Sequence, residues 1–516
     1  MLTNVLNYIR DLEVPGLSSP RAIKFRGSKF FIVVTITMAV FTDIFLYGVI
    51  VPVIPFAFEQ RMGVSADATQ LWVSKSLAVY GAAMAVGSIV FGYLSDRLGN
   101  RRAAMLGGLL VLIAATLILC LCKTLALFMV GRVLQGLSAA VVWSVGLAVI
   151  ADTAESNEVA YYMAYPGIGL SLGTFFGPLL GGIVYDKAGY YAVFYLCFAL
   201  IALDIILRLL MIEREALVQK LRKISPEISD LATDEGIKNS TIMQPDVEQQ
   251  SLPNKDDEGA EDHEIVETDV EQQPVPDMVS SGELSPCPAK SRGKILSNLP
   301  PIFLLLSSPR ILTAVFQSFT LAWIMSSFDA TLTIHLKDLF GFSSLGASLM
   351  LLAVAAPSVV EPLVGKVADR FGPRPVIIFG LVLIGLFLIL LRLPDHKSTQ
   401  QIVEFAALLT MAGLGIICVF SPMLGELSNA TLKIESRKKG IFGPGKGFGQ
   451  AYGLFNVAFS LGSIVGPFQS GATNDNQGWG MTSLSLGIVA FVTLIPSILF
   501  SGGNMLVRNK TTTPQA

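Results

Sequence analysis

The chain has 516 residues, of which 52% are hydrophobic and only 15% are charged, and its formal net charge is −2. Soluble domains carry about 25% charged residues, so this composition argues against a soluble protein. The near-neutral charge and the absence of long basic tracts argue against nucleic-acid binding. The five cysteines follow neither a disulfide framework nor the spacing of a zinc site.

The apolar residues fall into twelve blocks, each long enough to cross about 30 Å of hydrocarbon as a helix. In chain order, the first six predicted helices cover residues 30–56, 71–95, 103–122, 125–151, 160–185 and 190–212. The second six cover residues 308–336, 343–366, 374–393, 401–428, 447–472 and 480–502. The sequence therefore predicts an all-α membrane protein with twelve transmembrane helices in two six-helix bundles.

A long polar segment separates the two sets of helices. It contains an acidic stretch and scattered prolines but no apolar periodicity, so it is expected to be a disordered linker. The predicted organisation is an N-terminal segment 1–29, a bundle 30–212, the linker 213–299, a second bundle 300–503 and a tail 504–516.

The basic residues predict the orientation in the membrane. With an even number of helices both termini share one side, and the Lys and Arg clusters after helices 2, 8 and 10 lie on that same side. The opposite loops carry mostly single charges, such as Lys123 and Lys187. By the positive-inside rule, both termini and the linker are expected in the cytoplasm.

An internal repeat supports this layout. The sequence GYLSDRLG at 92–99 recurs as GKVADRFG at 365–372, each time after the second helix of its half. The sequence GTFFGP at 173–178 recurs as GSIVGP at 462–467, each time in the fifth helix. Two motifs that recur in the same order indicate a duplicated six-helix unit.

Two charged residues lie deep within the first set of helices. Asp43 falls in the middle of helix 1, where a carboxylate costs about 2.5–3.5 kcal/mol on insertion scales. It is expected to be a proton or cation site that faces a cavity; the alternative is a structural carboxyl bound to a neighbouring helix. Arg132 in helix 4 needs acceptors at membrane depth, and Gln135 is placed to supply one. The two are expected to take part in substrate or proton binding; the alternative is a static structural bond.

Two further acids lie in the second set of helices. Asp329, in the outer half of helix 7, is either a second ionisable site or a helix-end acid near water. Glu361, in helix 8, is either a proton site or the partner of Lys366 or Arg370. The residues alone leave both pairs of alternatives open.

Helix 5 carries glycines at every fourth position. They are Gly169, Gly173, Gly177 and Gly181, and Pro178 interrupts the helix between the last two. Small residues at this spacing let helices approach closely, and proline bends a helix. We expect this stripe to form a sliding interface between the two halves; the alternative is cavity lining.

Three segments of the sequence resemble motifs of the major facilitator superfamily. The segment 92–102 resembles the signature loop between helices 2 and 3 of that family. RVLQGLSAA at 132–140 resembles the helix-4 motif of proton-coupled members, and GTFFGPLLGG at 173–182 resembles the helix-5 motif of antiporters. The resemblance covers nearly the whole chain outside the linker and the termini.

Two stretches are also similar to vesicular amine transporters and related fungal drug:proton antiporters, namely 43–55 and 452–462. This resemblance implies that Asp43 contacts substrate or proton and that Asp329 is a second ionisable site. Asn456 stands where the amine transporters carry an acid, a departure that removes one protonatable group.

The signature loop predicts a gate on the cytoplasmic side. Asp96 is expected to bind the N-terminal end of a facing helix from the other half, because helix N-termini attract negative charge. Arg97 and Arg101 are expected to pair with acids such as Asp152, in addition to anchoring the loop by positive-inside charge. By the repeat, the equivalent gating residues of the second half are Asp369 and Arg370.

The sequence contains no nucleotide-binding P-loop, no nucleophile–base pair and no metal-type ligand spacing, so an enzyme, a cofactor and a metal site are not expected. The main hypothesis is a monomeric, proton-coupled antiporter that exports or sequesters small organic molecules such as drugs, amines or secondary metabolites by alternating access. The plasma membrane is the expected location, with vacuolar and vesicular membranes as alternatives. The alternative functions are a uniporter or importer of a small nutrient, and a non-transporting membrane sensor or scaffold.

Overall fold

The computed structural model describes residues 25–98, 101–212, 301–342 and 344–503, and these residues form helices and no strands. Twelve of the described helices are long and apolar enough to cross a membrane. The first bundle contains α1 Lys29–Ile50, α2 Ala66–Leu98, α3 Arg101–Leu121, α4 Leu125–Thr153, α5 Val159–Ala188 and α6 Tyr190–Leu210. The second contains α7 Pro309–Phe340, α8 (Ser344–Ala355, Ala356–Val360 and Glu361–Phe371), α9 Pro373–Leu390, α10 Thr399–Arg437, α11 Phe448–Gln477 and α12 Trp479–Phe500.

The predicted fold class is confirmed. One clear departure in length is α10, which continues to Arg437, whereas hydropathy predicted its end at 428. Hydropathy marks where a chain leaves the hydrocarbon, and a helix that continues into water need not stay apolar. The predicted linker 213–299 lies outside the described residues, as do the tail and nearly all of the N-terminal segment.

Two of the spanning helices change their winding partway along. In α4 the residues Val142–Gly146 form a π-helical turn, and in α8 the residues Ala356–Val360 form a 3₁₀ turn that contains Pro357. Such turns are frequent at functional sites because they redirect the side chains that follow. Each one lies next to an acidic group that the sequence predicts to be functional.

The glycine stripe of α5 packs inside the first bundle. A Cβ atom added to Gly169 would lie 2.7 Å from the carbonyl oxygen of Thr37 on α1, and one added to Gly173 would lie 2.9 Å from Ile44. A Cβ atom added to Gly177 or to Gly181 would likewise come too close to the backbone of α1, and Pro178 packs against Gly48. The predicted location of the stripe between the two halves is therefore wrong. The spacing of the glycines specifies a close approach, but it carries no information about which helix approaches.

We expect Gly181→Ala to destabilise the protein and Gly182→Ala to leave its stability unchanged or slightly raised. A Cβ at position 181 would overlap the carbonyl oxygen of Val49, whereas a Cβ at 182 meets no atom within 4 Å. Overpacking of this kind costs about 1–3 kcal/mol, while alanine at an open helix position is favoured over glycine by about 1 kcal/mol. Thermal unfolding of the purified variants in detergent measures the difference. Equal melting temperatures for the two variants would contradict the assigned packing.

The two bundles meet at two helix crossings that are related to each other by the repeat. In one crossing, α2 packs on α11, and a Cβ at Gly92 would overlap the carbonyl oxygen of Gly449. In the other crossing, α8 packs on α5, and a Cβ at Gly365 would overlap the carbonyl oxygen of Ala160. Gly92 and Gly365 are the first residues of the repeated sequence, so the duplication extends to the backbone contacts between the bundles.

Candidate functional site

Asp43 lies in the dry interior of the first bundle. Its side chain is fully buried on α1, and among the described residues neither carboxyl oxygen has a hydrogen-bond partner of normal geometry. The π turn of α4 directs Trp143 toward it, so that the carboxyl interacts with the indole N–H, which also lacks a well-formed hydrogen bond. An ionised carboxylate is costly in such surroundings unless a proton or a cationic group neutralises it.

The charged residues near Asp43 form an ion pair with each other, so their charges cancel. Arg208 and Asp204 on α6 are both buried, and two hydrogen bonds of 2.9 and 2.6 Å join the guanidinium to the carboxylate. Asp43 is within electrostatic reach of both, but their opposite charges act on it in opposite directions. Asp43 therefore has no dedicated counter-ion among the described residues.

Arg132 is held by aromatic faces rather than by an acid. The guanidinium carbon lies 5.1 Å from the ring centre of Tyr47 and 5.0 Å from that of Tyr80. One terminal nitrogen, Nη1, donates to the Gln135 side-chain oxygen at 2.7 Å, as predicted. The other, Nη2, is buried without a partner in the described residues. Ring faces and neutral acceptors stabilise the cation while leaving its charge uncompensated.

The two tyrosines connect the three charged groups predicted for the site. Tyr80 is within electrostatic reach of both Asp43 and Arg132. Tyr47 is within reach of both Arg132 and Asp329, which lies on α7 of the other bundle. Asp43 and Asp329 thus each lie near a tyrosine that contacts Arg132, and we call this series of groups, from the first bundle to the second, the path.

Asp329 differs from Asp43 in its access to water. Its side chain is exposed, yet protein surrounds it on most sides, which is the environment of a group in an open cleft. Asn456 on α11 is fully buried, and neither atom of its amide group has a hydrogen-bond partner among the described residues. Glu361 is also buried and forms no ion pair with Lys366 or Arg370, which are both exposed. That predicted pairing is wrong.

A second group of predicted residues lies on the side of the bundles that carries the repeated loops, which we call the gate side. Asp96 accepts hydrogen bonds of 2.9 Å from the backbone N–H groups of Gly449 and Gln450, the first turn of α11. The Gln450 side chain adds a third bond at 3.2 Å. The carboxylate thus caps the N-terminus of a helix in the other bundle, where free amides and the helix dipole favour negative charge.

Arg101 joins three segments next to this cap. It donates to the carboxylate of Asp152 at the end of α4, to the Ser95 hydroxyl at 2.9 Å and to the carbonyl oxygen of Gly445 at 2.9 Å. The Gly445 contact crosses between the bundles. The Asp152 contact had been predicted from the sequence, whereas Gly445, Gly449 and Gln450 had not been singled out.

The second half repeats the contact made by the acid but not the contact that Arg101 makes across the bundles. Asp369 accepts hydrogen bonds from the backbone N–H groups of Ala160 at 3.1 Å and Tyr161 at 2.8 Å, at the start of α5. Arg97 and Arg370, which follow the two acids, are exposed and lie over the rings of their neighbours Tyr93 and Phe371. Neither of these arginines bridges the bundles. Arg374, which corresponds to Arg101 in the repeat, instead donates to backbone carbonyls after α12.

Comparisons with known proteins place this geometry in a family. The model of the Major Facilitator Superfamily matches residues 36–440 and 358–513. An uncharacterized MFS-type transporter of Schizosaccharomyces pombe is 34% identical over 91% of this chain and 95% of its own length. The MFS-type transporter ppzB of Metarhizium rileyi is 30% identical over 95% of this chain and 98% of its own length.

Two more distant proteins match as well. The multidrug resistance protein Stp of Mycobacterium tuberculosis is 25% identical over 82% of this chain and 72% of its own length. The crystal structure of the human organic anion transporter MFSD10 superposes with a TM-score of 0.58 at 14% identity, over 91% of this chain and 99% of that one. That last likeness concerns the fold alone. From the family match and the fold together, the chain belongs to the Major Facilitator Superfamily of membrane transporters.

Proposed function

We propose that the protein is a proton-coupled antiporter that exports or sequesters small organic molecules by alternating access. The observation that carries the proposal is the buried Asp43 carboxyl, which has no counter-ion and no well-formed hydrogen bond among the described residues. A group of this kind is stable when neutral, and it binds a proton or a cationic substrate when the site opens to water. The basic residues of the gate-side loops support a cytoplasmic gate side.

The proton step uses the path from Asp43 to Asp329. The contacts of Asp96 with α11 and of Asp369 with α5 close the gate side, so the central site opens to the opposite face. Protons that enter from that face neutralise Asp329 and then Asp43, and the substrate is released. Arg132 belongs to this path. Its positive charge lowers the cost of ionising an acid that it approaches, so this cost changes for each acid as the bundles tilt.

Aromatic side chains from both bundles support an amphipathic organic substrate. The ring of Trp143 on α4 is nearly parallel to that of Phe459 on α11, at 17° and with ring centres 6.4 Å apart. Phe455 adds a second ring 6.3 Å from the indole. A flat apolar body can pack against these rings, while a cationic group on the same molecule reaches an acid of the path. The similarity to the multidrug resistance protein Stp of Mycobacterium tuberculosis also supports drugs as substrates.

Purified protein in proteoliposomes tests the proposal directly. We expect a panel of fluorescent cationic dyes to accumulate in vesicles with an acidic lumen, and the accumulation to collapse when an ionophore removes the pH gradient. Vesicles that hold the Asp43→Asn variant serve as the control for dye leakage and for pH-dependent partitioning of the dyes.

Two results would overturn it in different ways. Dye flux that follows only the dye gradient would indicate a uniporter, and the Asn456 departure from the amine-transporter pattern would then explain the lost coupling. The absence of flux for every dye and nutrient tested would favour the sensor or scaffold. For location we propose the plasma membrane with both termini in the cytoplasm, which fluorescent tagging and protease protection of the tags check.

A further inference from the structure

Glu361 is a buried acid that lies apart from the path between Asp43 and Asp329, at the crossing of the two bundles. Its side chain is 1% exposed, and its Oε1 atom has no hydrogen-bond partner among the described residues. A Cβ added to Gly167 of α5 would overlap the carboxyl group. The carboxyl of α8 therefore rests directly on the backbone of α5, immediately after the 3₁₀ turn Ala356–Val360.

The surroundings of this carboxyl offer no positive charge. From α5 it meets Gly167, and from α10 the titratable group within electrostatic reach is the buried thiol of Cys418. Lys366 and Arg370, on its own helix, are exposed. Arg374, the charged residue of α9, donates to backbone carbonyls after α12. A carboxylate without a cation or sufficient donors costs several kcal/mol in a dry contact, so the neutral acid is the form that fits.

The repeat shows that the contact itself does not require an acid. Glu361 stands four residues before Gly365, and the residue four before Gly92 in the first half is Ser88. Ser88 occupies the sister crossing, where its carbonyl oxygen lies 2.6 Å from a Cβ added to Gly453 of α11. The residue at the equivalent position of the first half is therefore small and neutral, so the crossing itself does not require the carboxyl group at 361.

We propose that Glu361 is a proton-binding site that ties closure of the gate side to the proton concentration of the cytoplasm. This rests on alternating access and on the cytoplasmic position of the gate side, both from the proposed function. When α5 and α8 separate, the carboxyl meets cytoplasmic water and loses its proton. The bundles close again only after a cytoplasmic proton returns.

The sign of the pH dependence follows from proton counting. The closed gate side holds one more proton than the open one, so acidification of the cytoplasm favours closure. For a single linked proton, the ratio of closed to open molecules changes up to about tenfold per pH unit. Asp96 and Asp369 are further titratable groups on the gate side, where they accept hydrogen bonds from α11 and α5. Variants at position 361 keep both of these acids, so they isolate the contribution of Glu361.

Spin labels across the gate side test the proposal without any substrate. Leu98 and Phe371, at the ends of α2 and α8, are 67% and 66% exposed and lie in different bundles. Leu98→Cys and Phe371→Cys, together with Cys287→Ser, provide labelling sites on the full-length chain in nanodiscs. We expect the fraction of short distances to rise as the pH falls from about 8.5 to about 5.5. The ratio of short to long distances should change close to tenfold per pH unit.

Two variants separate the carboxyl group from its packing role. Glu361→Gln keeps the shape and loses the proton, and Glu361→Ser copies the sister crossing; we expect both to stay closed and to lose the rise at low pH. A wild-type distance distribution that does not change with pH would overturn the proposal, whether or not the protein transports dyes. So would a rise of wild-type size in both variants.

Discussion

Replacing Asp43 with asparagine is expected to abolish uphill transport. Asparagine preserves the size of the side chain beside Trp143 but remains neutral at every pH, so it cannot exchange a proton for a cationic substrate. We expect pH-driven dye accumulation in proteoliposomes to fall by at least about tenfold, to the level of passive equilibration. Dye exchange without a gradient should persist, because the aromatic surfaces of α4 and α11 are unchanged.

Asp186→Asn is a matched control for this result, since Asp186 is an exposed acid near the end of α5. It should transport at the wild-type rate. Asp329→Asn is expected to weaken the binding of cationic dyes more than it weakens proton coupling, because Asp329 is open to water whereas Asp43 is not. If Asp43→Asn, Asp329→Asn and the double variant all accumulate dye at the wild-type rate, the proton path proposed here does not exist.

The sequence predicted the membrane-spanning architecture because hydropathy and the repeat are properties of the chain alone. Twelve long apolar blocks require twelve helices, since a helix satisfies its own backbone hydrogen bonds in hydrocarbon. Asp43 and Arg132 stood out for the same reason, because each is costly at that depth whatever its neighbours are. Position along the chain was sufficient for these conclusions.

The partners of the predicted residues depend on packing, which position along the chain does not specify. The glycine stripe of α5 requires a close neighbour, and the structure shows that this neighbour is α1 rather than the other half. Glu361 lies only five residues before Lys366 in the sequence, but its carboxyl rests on α5 instead. The π turn that directs Trp143 toward Asp43 has no signal in the sequence that we can identify.

The arginines of the signature loop illustrate the same limit. Arg97 and Arg101 are both basic residues on the gate side, but of the two only Arg101 is buried and donates a hydrogen bond to the other bundle. A basic residue in such a loop satisfies the positive-inside rule in either case, so the rule cannot distinguish an anchor from a gate. The distinction depends on which side chain faces α11.

Asp96→Ala is expected to open the gate side. The substitution removes the two backbone hydrogen bonds and the Gln450 side-chain bond to the first turn of α11, and it leaves Arg101 without one of its acids. A hydrogen bond to a charged group contributes about 1.5–3 kcal/mol, so the loss of about 3 kcal/mol would shift the ratio of closed to open molecules roughly a hundredfold. The labels at Leu98→Cys and Phe371→Cys would report this as a gain of long distances.

Arg97→Ala is the matched control, because Arg97 is the next residue, carries a charge and is exposed, and it forms no hydrogen bond or ion pair across the bundles among the described residues. We expect its distance distribution to stay that of the wild type. Asp369→Ala should open the gate side as Asp96→Ala does, since Asp369 caps α5 with the same two-bond geometry. If Arg97→Ala opened the gate side and Asp96→Ala did not, loop charge rather than helix capping would hold the two bundles together. The pairing of each acid with a facing helix would then be a consequence of closure and not its cause.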